Sequence, residues 1–230
     1  MWVQYGGGAW SWIGTFLWAS LFIDGLSLVP FSAGLQKSDS ALLLQFIRYP
    51  EQARSWMALL TLQTEDAKGV RPREWDPQSF EQILMFNASA NEYLYCQFMA
   101  YYRRLDEGLE AAALEHLENV LAASARAGRG LRSLLFLDAA SASACIRKQS
   151  AQARIWRDRA CKLRKPESLD AVDAGIAMCE GRFEAALQHW EAAKAHFRRR
   201  KLDSGIIRFA LEKWTEYEAA CKAALIRTPT

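Results

Sequence analysis

Hydrophobic positions along the chain fall into two regimes. Residues 9–31, AWSWIGTFLWASLFIDGLSLVPF, form one apolar block interrupted by a single charge, Asp24. From residue 37 onward apolar positions recur every three or four residues among polar ones, the period of an amphipathic helix. "SDSALLLQFIR" opens on Ser38 and Asp39, whose oxygens can accept from unpaired first-turn amides. "PEQARSWMALLTLQ" puts Pro50 at a first helical position, where its missing N–H is no loss. A break follows at "GVRPREWDP", residues 69–77, and "DPQSFEQILMF" restarts a helix with Asp76 as cap and Pro77 in the first turn. Beyond residue 88 the pattern predicts helices in pairs. "NEYLYCQFMAYYRRL" meets "LEAAALEHLENVLAASAR" across "DEG", and "LRSLLFLDAASASACIRK" meets "AQARIWRDRACKLR" across a short link. "SLDAVDAGIAMC" meets "RFEAALQHWEAAKAHFRRR" across "EG", and "GIIRFALEKWTEYEAACKAALI" is long enough to cap the stack. No alternating β-branched run stands out, so the predicted class is all-α. Three regions follow: an apolar segment 1–36, a helical linker region 37–87 containing the 69–77 break, and a helical-pair domain 88–230.

The third pair is the most diagnostic. Ala174, Ala177, Gly181, Phe183, Ala186, Trp190 and Ala193 are similar in spacing to the small and aromatic positions of tetratricopeptide-type repeats. Small residues let two antiparallel helices approach, and aromatics fill the gaps that remain. Ala113, Ala153 and Ala186 take corresponding places in the three pairs, 40 and 33 residues apart, so the expected repeats are degenerate ones. A single pair cannot bury its own apolar face, whereas a stack of three supplies a continuous core.

Charge sharpens the division. From Met1 to Gln36 the only charged side chain is Asp24, and Trp2, Trp10, Trp12 and Trp18 crowd the same stretch. The block at 9–31 approaches the roughly 20 residues a helix needs to cross a bilayer, and its tryptophans suit a membrane interface. The expectation is an N-terminal membrane-embedded helix. A secretory signal competes but lacks a basic start, and a helix buried in the body is the further alternative, since Asp24 and Gly25 interrupt the run. An acid inside such a span is a candidate functional residue, unless it lies near enough to the end to reach headgroup water. Lys37, Arg48 and Arg54 follow the block closely and no basic residue precedes it. The positive-inside rule then puts a membrane-bound chain's helical body on the cytoplasmic side. Cys96, Cys145, Cys161, Cys179 and Cys221 agree: odd in number, widely spaced and without CxxC, they read as reduced thiols.

Catalytic motifs are scarce. His116, His189 and His196 include no pair at HExxH spacing, and there is no GxSxG, Walker loop or dinucleotide fingerprint. Cys96 sits among Tyr95, Phe98 and Met99, as a core residue would. His189, Trp190, His196, Arg198, Arg199 and Arg200 share one helix and form a candidate partner-binding surface. Arg198–Arg200 also suit the negative pole of that helix's dipole. A net charge of +3, without interleaved base-stacking aromatics, gives no case for nucleic acid.

Three fragments in order resemble the bacterial site-2 protease family of intramembrane zinc metallopeptidases, in the subgroup with a helical-repeat extension. "SLVPF" (27–31) is similar to that family's Asn-Leu-Leu-Pro, and "GLQKSDSALLL" (34–44) to its Gly-Leu-x-Ser-Asp-Gly-x-x-Leu-Leu. "GVRPREWDP" with the helical pairs after it looks like the subgroup's linker and tail. Ser27 and Ser40 depart from the pattern, and no HExxH occurs in the 230 residues. The resemblance implies zinc, with Asp39 as its third protein ligand. A catalytic zinc needs about three protein ligands, so one carboxylate cannot hold it. Asp39 is accordingly a vestigial or shared ligand under the resemblance and a helix cap without it.

The expected function is a membrane-anchored helical-repeat interaction or regulatory module, without a cofactor of its own, whose partners are the membrane and a protein or peptide. Two alternatives stand beside it. One is part of an active protease whose HExxH is supplied upstream or in trans; the other is a soluble helical-repeat scaffold.

Overall fold

The computed structural model describes residues 8–29, 32–33, 36–85, 91–200 and 203–227. The described chain is all-α, apart from a two-residue antiparallel ladder that pairs β1 (Ser32–Ala33) with β2 (Gln36–Lys37). It divides into two compact units, Met1–Trp56 and Met57–Thr230.

The first unit holds α1 (Gly8–Leu28), α2 (Asp39–Arg48) and the start of α3 (Pro50–Ala67). Apolar residues lie all the way round α1. Trp12, Phe16, Leu17, Trp18, Leu21 and Phe22 are all exposed, Trp12 by 78% and Phe22 by 68%. Successive residues turn by about 100° on a helix, so these side chains leave no polar face to meet water. Asp24 is exposed on the same helix. Against the expectation of a membrane-embedded helix stands one finding: among the described residues, no helix is long and apolar enough to cross a membrane. The cause is composition, because Asp24 and the interspersed serines, glycines and tryptophans dilute the aliphatic run.

Ser38 caps α2. Its Oγ accepts from the Ala41 amide at 3.3 Å and donates to the Val29 carbonyl at 2.9 Å. Asp39 is the first helical residue, one position inside the cap.

The second unit is built from helix pairs. α5 (Asn91–Asp106) packs on α6 (Glu110–Ala123), α7 (Arg129–Cys145) on α8 (Ser150–Leu163), and α9 (Asp170–Cys179) on α10 (Phe183–Arg200). Links this short force each pair to run antiparallel. Gly108 and Gly181 turn two of the links at φ of 77° and 75°, a backbone state that a side chain disfavours. Ala113, Ala153 and Ala186 are all fully buried. Ala113 packs with Tyr101, Leu117 and Ala142, Ala153 with Ala140, Val172 and Ile176, and Ala186 with Ala177 and Cys221. Small side chains at these contacts bring helix axes close and carry the core from one pair to the next. α11 (Gly205–Arg227) packs along α10.

The 69–77 segment belongs to this unit's framework. A 3₁₀ turn, Pro72–Glu74, precedes α4 (Pro77–Leu84), and Asp76 caps α4 by accepting from the Ser79 amide at 2.7 Å. Arg71 pairs with Asp106 at the end of α5 and with Glu212 on α11. Asp66, at the end of α3, accepts from the Ile206 amide at 2.8 Å and so caps α11 across 140 residues of sequence. Gly205 is required at this joint, because a Cβ there would lie 1.7 Å from the Val70 carbonyl oxygen. The last helix is thereby tied to the segment that precedes the first pair.

Candidate functional site

α7 is a helix of small and apolar residues, RGLRSLLFLDAASASAC, with one acid, Asp138, in its middle. Flanked by α8 and α9, the helix turns Leu134, Leu137 and Asp138 into a groove of about 470 Å³. Val172 of α9, Phe197 of α10 and Trp214 of α11 complete much of its apolar wall. The wall is stiffened by an aromatic ladder. Phe197 lies 5.4 Å from Trp214, which stacks on Trp190 at 5.6 Å, and Trp190 lies 5.7 Å from Tyr217.

Asp138 is the groove's distinctive polar group. The Tyr102 hydroxyl, reaching from α5, donates to its Oδ1 at 2.7 Å. Among the described residues no other donor and no cation pairs with this carboxylate. Burial raises its pKa from the ordinary carboxylate range to about 7, and the Tyr102 bond only partly opposes that rise. Burial, together with the Asp138 charge, also pushes the Tyr102 hydroxyl well above its ordinary value. An acid poised near neutrality can hold a proton or take a cationic partner; it is a weak candidate for nucleophilic work.

Basic side chains line the rim. Arg164 and Lys165 stand in the link between α8 and α9, and Arg200 ends α10 in an ion pair with Glu167. No ion-pair partner for Arg164 or Lys165 occurs among the described residues. The nearby hydroxyl of Ser133 is already spent, donating to the Ala160 carbonyl at 3.1 Å.

The residues expected at a partner surface separate. His196 and Arg200 reach the groove, and Arg198 and Arg199 are exposed. His189 sits apart, with its Nδ1 3.4 Å from Asp170. Trp190 is corrected from surface to core: it is 1% exposed and held between Trp214 and Tyr217. His116 is half-buried beside Gln97, and burial holds its imidazole below the ordinary pKa. All five cysteines are free, and burial pushes the Cys96 thiol up to about 12, which makes it inert packing.

The side chain of Asp39 lies outside the described residues, as do Pro30, Phe31, Gly34 and Leu35 of the protease-like fragments. Among the described residues no three His, Cys, Asp or Glu side chains converge to hold a metal ion. Asp138 and Tyr102 were not singled out by spacing, although a lone acid inside "SLLFLDAASASA" is a signal that could have found the first of them. No protein family, curated protein or solved structure matches the chain.

Proposed function

We propose that the helix-pair unit is an interaction module, taking a peptide segment of another protein into the groove between α7, α9 and α11. The observation that carries this reading is the groove itself: an apolar trough of about 470 Å³ with Asp138 inside and Arg164, Lys165 and the Arg200–Glu167 ion pair at its edge. Recognition sites combine an apolar lining with a few polar groups that fix orientation, and this lining has that composition. Arg and aromatic side chains are also the ones that dominate protein interfaces. The reading extends to α1, which tethers the chain by embedding in lipid. Its support is the apolar surface around the whole helix, which water does not tolerate and hydrocarbon does.

Leu134 offers the test. It lines the groove yet is 56% exposed, so Leu134→Arg blocks the trough without opening the core. Displayed random peptides selected on the full chain are expected to lose at least about tenfold in affinity for that variant, equivalent to about 1.4 kcal/mol. Peptides that bind both forms equally would place the recognition surface elsewhere.

A further inference from the structure

The groove's charge pattern names the residue it recognises. Asp138 is a carboxylate among apolar walls, and an unpaired ionised group in such surroundings is unfavourable until a cation or a proton joins it. Among the described residues the protein supplies neither Lys, Arg nor His to it. Tyr102 occupies Oδ1, and no donor among the described residues reaches Oδ2. A guanidinium binds a carboxylate best through both oxygens at once, whereas an ammonium is a point charge that one oxygen satisfies. The long methylene stem of a lysine also suits apolar walls, because it buries along them while its charged head reaches a polar group. Arg164 and Lys165, with no ion-pair partner among the described residues, add a second requirement of opposite sign at the rim.

We propose that the groove takes a lysine side chain of the bound segment, its ammonium on Asp138, with acidic positions of the same segment facing Arg164 and Lys165. This rests on the groove being a peptide site, and the test separates the two claims. Nonapeptide pools are made with acetylated and amidated ends, so that no terminal ammonium competes. The central residue is fixed as Lys, Arg, norleucine or Glu, and the flanking positions are mixtures of Leu, Ala, Ser and Glu. Binding to the full-length chain in detergent is read by fluorescence anisotropy.

The lysine pool is expected to bind about tenfold more tightly than the norleucine pool, a difference of about 1.4 kcal/mol. Asp138→Asn is expected to erase that preference, so that the lysine and norleucine pools bind with equal affinity. Tyr102→Phe frees Oδ1 and is expected to raise the arginine pool relative to the lysine pool; that ratio decides the matter should Asp138→Asn prove unfolded by circular dichroism. Equal binding of lysine and norleucine, a stronger glutamate pool, or a lysine preference that survives Asp138→Asn overturns the lysine assignment. In those cases loss of all binding in Leu134→Arg would still uphold the groove as a peptide site. No binding by any pool overturns both.

Discussion

α1 and α7 are both rich in apolar side chains, yet they fare oppositely. On α1, Trp12, Phe16, Trp18 and Phe22 face outward, whereas on α7, Leu135, Ala139, Ala140, Ala142 and Ala144 are buried. The difference is one of pattern. α7 interleaves small residues with large ones and offers a surface that neighbouring helices can approach closely. α1 is bulky all round and offers no stripe that a single neighbour could cover. Hydrophobicity alone therefore does not make a core. Spacing decides whether apolar surface is buried within its own unit or left for lipid or another protein.

The largest expected effect breaks the contrast at its strongest point. Trp190→Ala should destabilise the helix-pair unit by about 3–5 kcal/mol, read as a fall in the urea midpoint, because it empties the centre of an aromatic ladder. A change within error would mean that the α10–α11 packing is wrong. Next comes the buried pair between Lys194 and Glu218, whose Nζ and carboxylate are 2.6 Å apart. Glu218→Ala leaves the Lys194 ammonium only the exposed Glu191 carboxylate, 3.3 Å away, and should cost about 3 kcal/mol, whereas the double change Lys194→Met with Glu218→Leu should recover most of that loss. Equal losses from the single and double variants would show that packing, not charge, sets the effect.

Asp138 sharpens the comparison through pH. Its folded pKa, about 7, lies above its ordinary value of 3.8, so the folded state holds the proton more tightly than the unfolded one. The stabilisation from that proton is complete below about pH 4 and is lost as pH rises through 7. Asp138→Asn should therefore be nearly neutral at pH 4 and stabilising by about 2 kcal/mol at pH 8, since one pKa unit is worth about 1.4 kcal/mol and partial exposure reduces the full shift. A pH-independent difference in unfolding free energy would remove Asp138 from its apolar setting. The smallest stability effect belongs to α1. Phe16→Ser with Phe22→Ser should shift unfolding by less than about 0.5 kcal/mol. The same pair should cut flotation with phospholipid vesicles several-fold, and unchanged flotation would detach α1 from lipid.

Local chemistry was legible in the residues. Asp76 and Pro77 announce α4, the alanines at 113, 153 and 186 mark close helix contacts, and Cys96 sits where its neighbours imply. The rest depends on contacts that no local window contains. Arg71 reaches Asp106 and Glu212, and Asp66 caps a helix 140 residues away, so the 69–77 break reads locally as a spacer and packs as a joint. Trp190 shows the same limit. Its place among the small and aromatic positions at 174–193 implies burial and its membership of the His189–Arg200 set a surface; Trp214 and Tyr217, distant in sequence, decide for burial. At α2 two good capping residues stand side by side, and only the bond from the Ala41 amide reveals that Ser38 takes the role.

Hydrogen–deuterium exchange on the full chain, with and without a selected lysine-bearing peptide, tests the central claim most directly. Protection is expected in α7, α9 and the first turns of α11, with none added in α1. Protection in α1 alone, or in none of the groove helices, would contradict the account.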